Sequence, residues 1–207
     1  NNCTDPNGGW ALGCRIDGCQ AEYVRVPYAD TGLTPIPDHV TDDNALFLGD
    51  ILSSGYFGAE LAEIQPGDTV AVIGAGPVGL CAAMCAGLFG AGDVILLDID
   101  AHRLELAKRL GLATYTINPS AESAEEAVRA LTQGRGADAV IEAAGGADTF
   151  QTAWQIARPN SVVALVAMYE QAQPFPLPNM YGKNLIFKTG GVDAVHCDRL
   201  MKLIACG

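Results

Sequence analysis

The pattern of apolar and polar positions changes character near residues 64–68. Before that point the rhythm is irregular. Residues 1–19 are rich in Gly, Asn and Cys without periodicity and predict a loop. Gln20 to Val26 alternates, with Ala21, Tyr23 and Arg25 on one side and Glu22, Val24 and Val26 on the other, and predicts a strand. Pro27, Pro35 and Pro37 punctuate a turn-rich stretch. Thr41-Asp42-Asp43 reads as a helix start, and Ala45 to Leu52 has helical apolar spacing. Ser53-Ser54-Gly55 predicts an interruption, with helix resuming from Tyr56 to Ala62, and Pro66-Gly67-Asp68 predicts a turn.

After that turn, strand and helix alternate. Thr69 to Ile73 is a short β-branched run and predicts a buried strand; Pro77 to Leu88 is apolar on nearly all sides and predicts a buried helix. Val94–Leu97, Thr114–Ile117, Ala137–Ala143, Ser161–Ala167 and Asn184–Lys188 predict further strands. Ala101–Leu110, Ala121–Leu131, Thr149–Ile156 and Cys197–Ala205 predict helices. Continuous apolar strands joined by short loops to helices are the mark of a sheet covered on both faces. The expected fold is therefore α/β, a doubly wound parallel sheet.

Composition narrows the function classes. The 207 residues are 49% apolar and 17% charged, so a packed core is expected rather than disorder. A net charge of −12 speaks against nucleic acid and against an anionic membrane surface as partners. Seven cysteines form no secreted disulfide pattern and favour a reducing cytoplasm; Cys81 and Cys85, four apart in an apolar run, read as buried small hydrophobes. Thr69 to Gly90 carries no charge for 22 residues, long enough to span a bilayer. Its internal glycine motif and Pro77, the flanking Asp68 and Asp93, and the surrounding βαβ order exclude that reading. Asn1 at the start, and Gly207 just past a helical pattern, read as cuts through a longer protein.

The chemistry concentrates at Gly74-Ala75-Gly76-Pro77-Val78-Gly79. Gly-x-Gly-x-x-Gly alone is a weak signal. Here it follows a predicted strand, opens a predicted helix, and is answered by Asp98 at the end of the next strand, 19 residues past Gly79. Gly74 would make the tight turn, Gly76 would let a pyrophosphate approach the backbone, and Gly79 would let helix and strand pack closely. The helix N-terminus offers N–H groups and partial positive charge to phosphates. Asp98 would accept hydrogen bonds from ribose hydroxyls and repel a 2′-phosphate, which favours NAD over NADP. Three alternatives stand beside this: a ligand-free turn with Asp98 as a helix cap, FAD, and S-adenosylmethionine. Arg103 reads either as a contact to ribose or phosphate or as a solvated helix residue, and His102 as exposed.

The runs Asp17-Gly18-Cys19-Gln20-Ala21-Glu22-Tyr23-Val24-Arg25-Val26-Pro27, Asp50-Ile51-Leu52-Ser53-Ser54-Gly55 and Gln65-Pro66-Gly67-Asp68-Thr69-Val70, followed by the glycine motif, resemble the zinc-dependent medium-chain alcohol dehydrogenases of the bacterial secondary-alcohol type. The resemblance covers essentially the whole chain. It implies a GroES-like catalytic domain, of which residues 1–45 would be the C-terminal remnant, and a Rossmann domain over 46–207. It implies catalytic zinc acting as a Lewis acid in a full-length protein, and hydride transfer between a small alcohol or ketone and NAD. Asp50, 24 residues ahead of Gly74, matches a catalytic zinc ligand, against the alternative of a helix-surface carboxylate. Ser54 matches the hydroxyl beside the nicotinamide. Val166, Ala167 and Met168 match the nicotinamide pocket, and Ala143, Ala144 and Gly145 a loop on the adenosine side. Cys3 matches the last cysteine of a structural zinc lobe.

The family's other zinc ligands, a cysteine and a His-Glu pair, have no counterpart here: His39, His102 and His196 each lack the Glu neighbour. The expectation is a chain that binds NAD but does not turn over alcohol alone. Non-catalytic NAD binding and zinc-free reduction stay open as alternatives, with Asp50 arguing against the latter. The resemblance also implies a homo-oligomer formed through the Rossmann domain at residues 184–188.

Overall fold

The computed structural model describes residues 11–192 and 194–206. These fall into two compact units, one of residues 11–53 and 191–206, the other Ser54–Gly190. Cys3, matched above to a zinc lobe, lies outside the described residues.

Two short helices come first, α1 (Ala29–Gly32) and α2 (Asp42–Ala45). Thr41 caps α2, its Oγ1 accepting from the Asn44 N–H at 3.3 Å. The strand predicted over Gln20–Val26 is not formed. A strand exists only where its backbone groups are paired in a ladder, and these residues have no ladder partner among those described. An isolated bridge joins Leu12 and Ile16 instead.

The predicted interruption at Ser53-Ser54-Gly55 is also absent. A π-helical turn, Leu48–Leu52, runs straight into α3 (Ser53–Leu61). Ser53 stays helical because its hydroxyl is occupied, donating to the Leu48 carbonyl at 2.5 Å. The small residues serve packing instead. A Cβ at Gly55 would lie 2.6 Å from the Cys81 backbone, and one at Gly58 would lie 2.8 Å from Val166 Cγ2. Only a helix bare at those two positions can approach so closely.

The regular part follows as β1 (Thr69–Ile73), α4 (Pro77–Leu88), β2 (Asp93–Leu97), α5 (Ala101–Arg109), β3 (Tyr115–Ile117) and α6 (Ala124–Leu131). It continues as β4 (Ala137–Glu142), α7 (Thr149–Ile156), β5 (Ala157–Leu165), α8 (Leu177–Met180), β6 (Ile186–Thr189) and α9 (Cys197–Cys206). α6 begins at Ala124 rather than Ala121, because Ser123 caps it through the Glu126 N–H at 3.3 Å. β5 begins at Ala157, earlier than its apolar run, and takes in the polar Arg158 and Asn160 across a register irregularity opposite β4.

The six strands of the described residues form one parallel sheet in the order β3-β2-β1-β4-β5-β6. β1 is central and buried on both faces, in register with β2 (Ile73 beside Leu97) and β4 (Ile73 beside Glu142). The twofold alternation of strand side chains sends Ala71, Ile73, Ile95, Leu97, Val140 and Val163 into one core with Val128 of α6 and Ala153 and Ile156 of α7. Each fully buried Ile, Leu or Val there contributes about 1.5–3 kcal/mol. α4 is buried only in part: Ala82, Ala83, Cys85 and Ala86 face inward, while Met84 and Leu88 stay exposed. A helix lying on a sheet has an outer face, and apolar composition does not cover it.

This is the Rossmann order. Leaving β1 the chain winds outward through β2 and β3, then returns to β4 on the other side of β1. The carboxyl ends of β1 and β4 therefore flank a crevice at the point where winding reverses, where doubly wound sheets bind ligands.

Candidate functional site

The glycine motif sits at that crevice, and its three glycines meet three different constraints. Gly74 has φ +99, and a Cβ there would lie 3.1 Å from the Ala143 backbone and from Ala144 Cβ. Both conformation and space demand glycine. Gly79, in the first turn of α4, would place a Cβ 1.8 Å from the Gly74 carbonyl oxygen, so helix and turn are packed backbone to backbone. Gly76 is different. Its φ of −71 suits any residue, and within 4 Å a Cβ would meet only Arg103 Nη1, at 4.0 Å. Nothing in the fold itself calls for glycine at Gly76; a ligand that must approach the backbone would.

α4 has Pro77 in its first turn and no side chain among the described residues capping its N-terminus, so its first N–H groups are open to an acceptor. Val78 and Gly79 carry these N–H groups. Asp98, one residue past β2, presents a nearly buried carboxylate, its side chain 7% exposed. One oxygen accepts from the Ala75 N–H at 2.6 Å and the other from the Asp100 N–H at 2.8 Å. The carboxylate is thus tied to the glycine turn. Arg103, half-exposed on α5, places Nη1 3.9 Å from Asp98 and Nε 3.8 Å from Asp100. Asp100 caps α5 through the His102 N–H at 2.8 Å, which holds its carboxyl below the usual range. The helix-cap role offered above as an alternative for Asp98 is therefore taken by Asp100.

Across the crevice, the loops after β4 and β5 converge on one residue the sequence reading passed over. Glu142 ends β4 and is fully buried. Its Oε1 accepts from the N–H groups of Ala144 and Gly145, both at 2.9 Å. Its backbone carbonyl accepts from Val166 at 2.8 Å and Ala167 at 3.2 Å. One acid therefore shapes both the Ala143–Gly145 loop and the Val166–Met168 loop. Its Oε2 is buried and finds no hydrogen-bond partner among the described residues. Tyr169 lies beside this carboxylate, its hydroxyl 3.3 Å from Thr149 Oγ1; burial, with the Glu142 charge, raises its pKa. The available signal was a lone acid inside the apolar run Ala139-Val140-Ile141-Glu142-Ala143.

The structure thus gathers Gly74, Gly76, Pro77, Val78, Gly79, Asp98 and Arg103 along β1, α4, β2 and α5, with Ala143 against Gly74. Val166 touches α3, the helix that carries the buried Ser54. Met168 is 78% exposed, and its carbonyl oxygen would lie 2.7 Å from a Cβ at Gly145. Asp50 is exposed in the π-helical turn of the other unit. Among the described residues no three His, Cys, Asp or Glu side chains come together to hold a metal. Those residues do not form a zinc site.

A family model described as zinc-binding dehydrogenase matches residues 77–193. This chain belongs to the zinc-type medium-chain alcohol dehydrogenase family. Family members similar to it include an alcohol dehydrogenase of Cupriavidus necator, 45% identical over 169 residues, covering 82% of this chain and 46% of that protein. An NADP-dependent isopropanol dehydrogenase of Thermoanaerobacter brockii is 35% identical over 202 residues, covering 95% and 57%. Among solved structures, an alcohol dehydrogenase from Thermus sp. ATN1 superposes with a TM-score of 0.87 at 38% identity, covering 93% of this chain and 56% of the other. The chain spans about half the length of the alcohol dehydrogenases it matches. The family-model match, residues 77–193, falls on the Rossmann part.

Proposed function

We propose that this chain is the coenzyme-binding part of an NAD-dependent alcohol dehydrogenase. The observation that carries NAD over NADP is the Asp98 carboxylate, fixed by the Ala75 and Asp100 N–H groups at the end of β2. A negative charge held there favours the neutral ribose diol and repels a 2′-phosphate. The pyrophosphate would lie over Gly76, against the N–H groups of Val78 and Gly79. Arg103 is close enough to Gly76 to turn from Asp98 toward a phosphate.

The open space at Gly76 fits such a coenzyme. When bound, the coenzyme would supply hydride chemistry for a small secondary alcohol or its ketone, the substrate class the resemblance implies. Ala143, Val166 and Met168 would wall its pocket, and Ser54 would supply a hydroxyl beside it. Asp50 is a competent zinc ligand, but one carboxylate does not close a catalytic site, which takes three protein ligands. The activity assigned to these residues is accordingly coenzyme binding. A non-catalytic NAD-binding module is the second reading. Alcohol oxidation on addition of zinc would decide against it.

β6 is an edge strand with Ile186 half-exposed, and the half-exposed Phe175 packs edge-on against its Phe187. We assign this edge to homo-oligomer contact, since an unpaired apolar edge otherwise promotes aggregation. Nucleic acid and membrane are not proposed as partners. No helix among the described residues is long and apolar enough to cross a membrane. The described cysteines are free thiols, in keeping with a cytoplasmic protein.

Fluorescence titration with NADH and NADPH tests the coenzyme reading. NADH should bind more tightly by an order of magnitude or more, as expected for a 2′-phosphate facing a buried carboxylate. Equal or reversed affinities would refute it.

A further inference from the structure

At the other end of the sheet, where β4 and β5 begin, lies a cavity of about 430 Å³. Arg129, Arg135, Arg158 and Lys183 line it, four of the twelve Lys and Arg residues in a chain of net charge −12. Such clustering of one sign runs against the charge of the whole protein.

The acids near this cavity are already engaged. Asp138 Oδ1 accepts from Arg158 Nε at 2.6 Å, and its Oδ2 accepts from the Thr69 N–H at 2.9 Å. Glu125 meets Arg129 Nη2 at 3.1 Å. Arg135 lies 3.7 Å from Asp138, beyond hydrogen-bond reach, and its side chain is 59% exposed. Its guanidinium donors therefore remain available. Arg158 is held in place by Asp138 and by the Pro159 carbonyl at 2.8 Å, which leaves its other terminal nitrogen free to donate.

Lys183 contributes charge rather than donors. Its ammonium donates to the carbonyls of Trp154, Gln155 and Ala157 at 2.9, 2.5 and 2.8 Å, using all three hydrogens at the C-terminal end of α7. The cavity thus combines a fixed cation with the Arg135 guanidinium, which presents a planar donor pair suited to phosphate oxygens, and the free terminal nitrogen of Arg158.

We propose that this cavity binds a phosphomonoester, with Arg135 and Arg158 gripping the phosphate and Arg129 and Lys183 supplying further positive potential. The cavity has the size of a small-molecule pocket, larger than one phosphate group needs, so the ester's organic part has room beside it. The site is separate from the Gly76 cradle, which lies at the carboxyl ends of the strands.

Thermal shift and calorimetric titration of the whole chain test this, at constant ionic strength balanced with sodium chloride. The probes are glycerol phosphate, inorganic phosphate and glycerol. Glycerol phosphate should bind saturably, and glycerol should not bind. Arg135→Gln should weaken binding about tenfold, the loss of one charge-assisted hydrogen bond, with little change in melting temperature. Gly76→Val, which fills the coenzyme cradle, should leave it intact, as should saturating NADH.

Glycerol phosphate binding more tightly than phosphate supports the ester. Equal binding replaces the ester with free phosphate and overturns that part. Stabilisation matched by chloride, unchanged in Arg135→Gln, or abolished by NADH or by Gly76→Val overturns the site itself. Because Gly76→Val also reports on coenzyme binding, failure of the two sites can be told apart.

Discussion

Asp98 and Ala75, 23 residues apart, are joined by a hydrogen bond of 2.6 Å from the Ala75 N–H to the carboxylate. The acid that would choose the coenzyme is thereby built into the turn that would hold the phosphates. Replacing it should alter selectivity and turn geometry together. Asp98→Ser removes the charge; NADH affinity should fall about tenfold, the loss of a charge-assisted hydrogen bond, while NADPH affinity rises. Paired fluorescence titrations measure both. An unchanged NADH to NADPH ratio would separate Asp98 from selectivity.

The glycines of the motif should respond in opposite ways. Gly79→Ala forces a Cβ to within 1.8 Å of the Gly74 carbonyl oxygen. It should cost about 3 kcal/mol or more of stability, the scale of severe overpacking. Gly76→Val meets open space, so its melting temperature should stay close to that of the parent while NADH binding is lost. A Gly76→Val protein that melts far lower would mean that the glycine serves the fold.

Glu142 should behave as the residue that positions both crevice loops. Glu142→Ala leaves the Ala144 and Gly145 N–H groups without their acceptor, at about 1–3 kcal/mol for each one left unsatisfied. Glu142→Gln keeps an oxygen for them and should recover part of both stability and NADH affinity. Denaturant melts and coenzyme titrations on the two variants check this. Wild-type behaviour of the alanine variant would remove Glu142 from the site.

Cys85 predicts a pH dependence. Burial, reinforced by Cys81, raises its pKa from 9.0 to about 12. Between those values the unfolded thiol has lost its proton while the folded one keeps it, so stability falls as pH rises through that window and is unaffected below it. Cys85→Ala should flatten this alkaline decline in thermal melts between pH 8 and 11. At pH 8, Cys85 should also resist alkylation while the exposed Cys14 and Cys206 react, as peptide mapping would show.

The alternation of β-branched runs with apolar helices made the doubly wound fold readable, because strand and helix periodicities are local properties of the chain. So was the coenzyme motif, since the spacing from Gly74 to Gly79 to Asp98 lies within one βαβ unit. The seven residues from Gln20 to Val26 alternate as a strand should, yet strand formation depends on a partner that periodicity cannot supply. Ser53-Ser54-Gly55 looked like a break, yet the neighbouring helix and strand ends made bare positions useful inside α3.

Tertiary structure alone decided which glycine the fold demands and which it leaves open, because only spatial neighbours show that Gly79 is crowded and Gly76 is not. It alone turned Glu142 from an odd acid in a strand into the common anchor of two loops. It also collected Arg129, Arg135, Arg158 and Lys183, spread over 55 positions of sequence, around one cavity. Hydrophobic period and glycine spacing are written along the chain. Close approach, burial of charge and the convergence of distant cations arise only when a parallel sheet brings remote strand ends side by side.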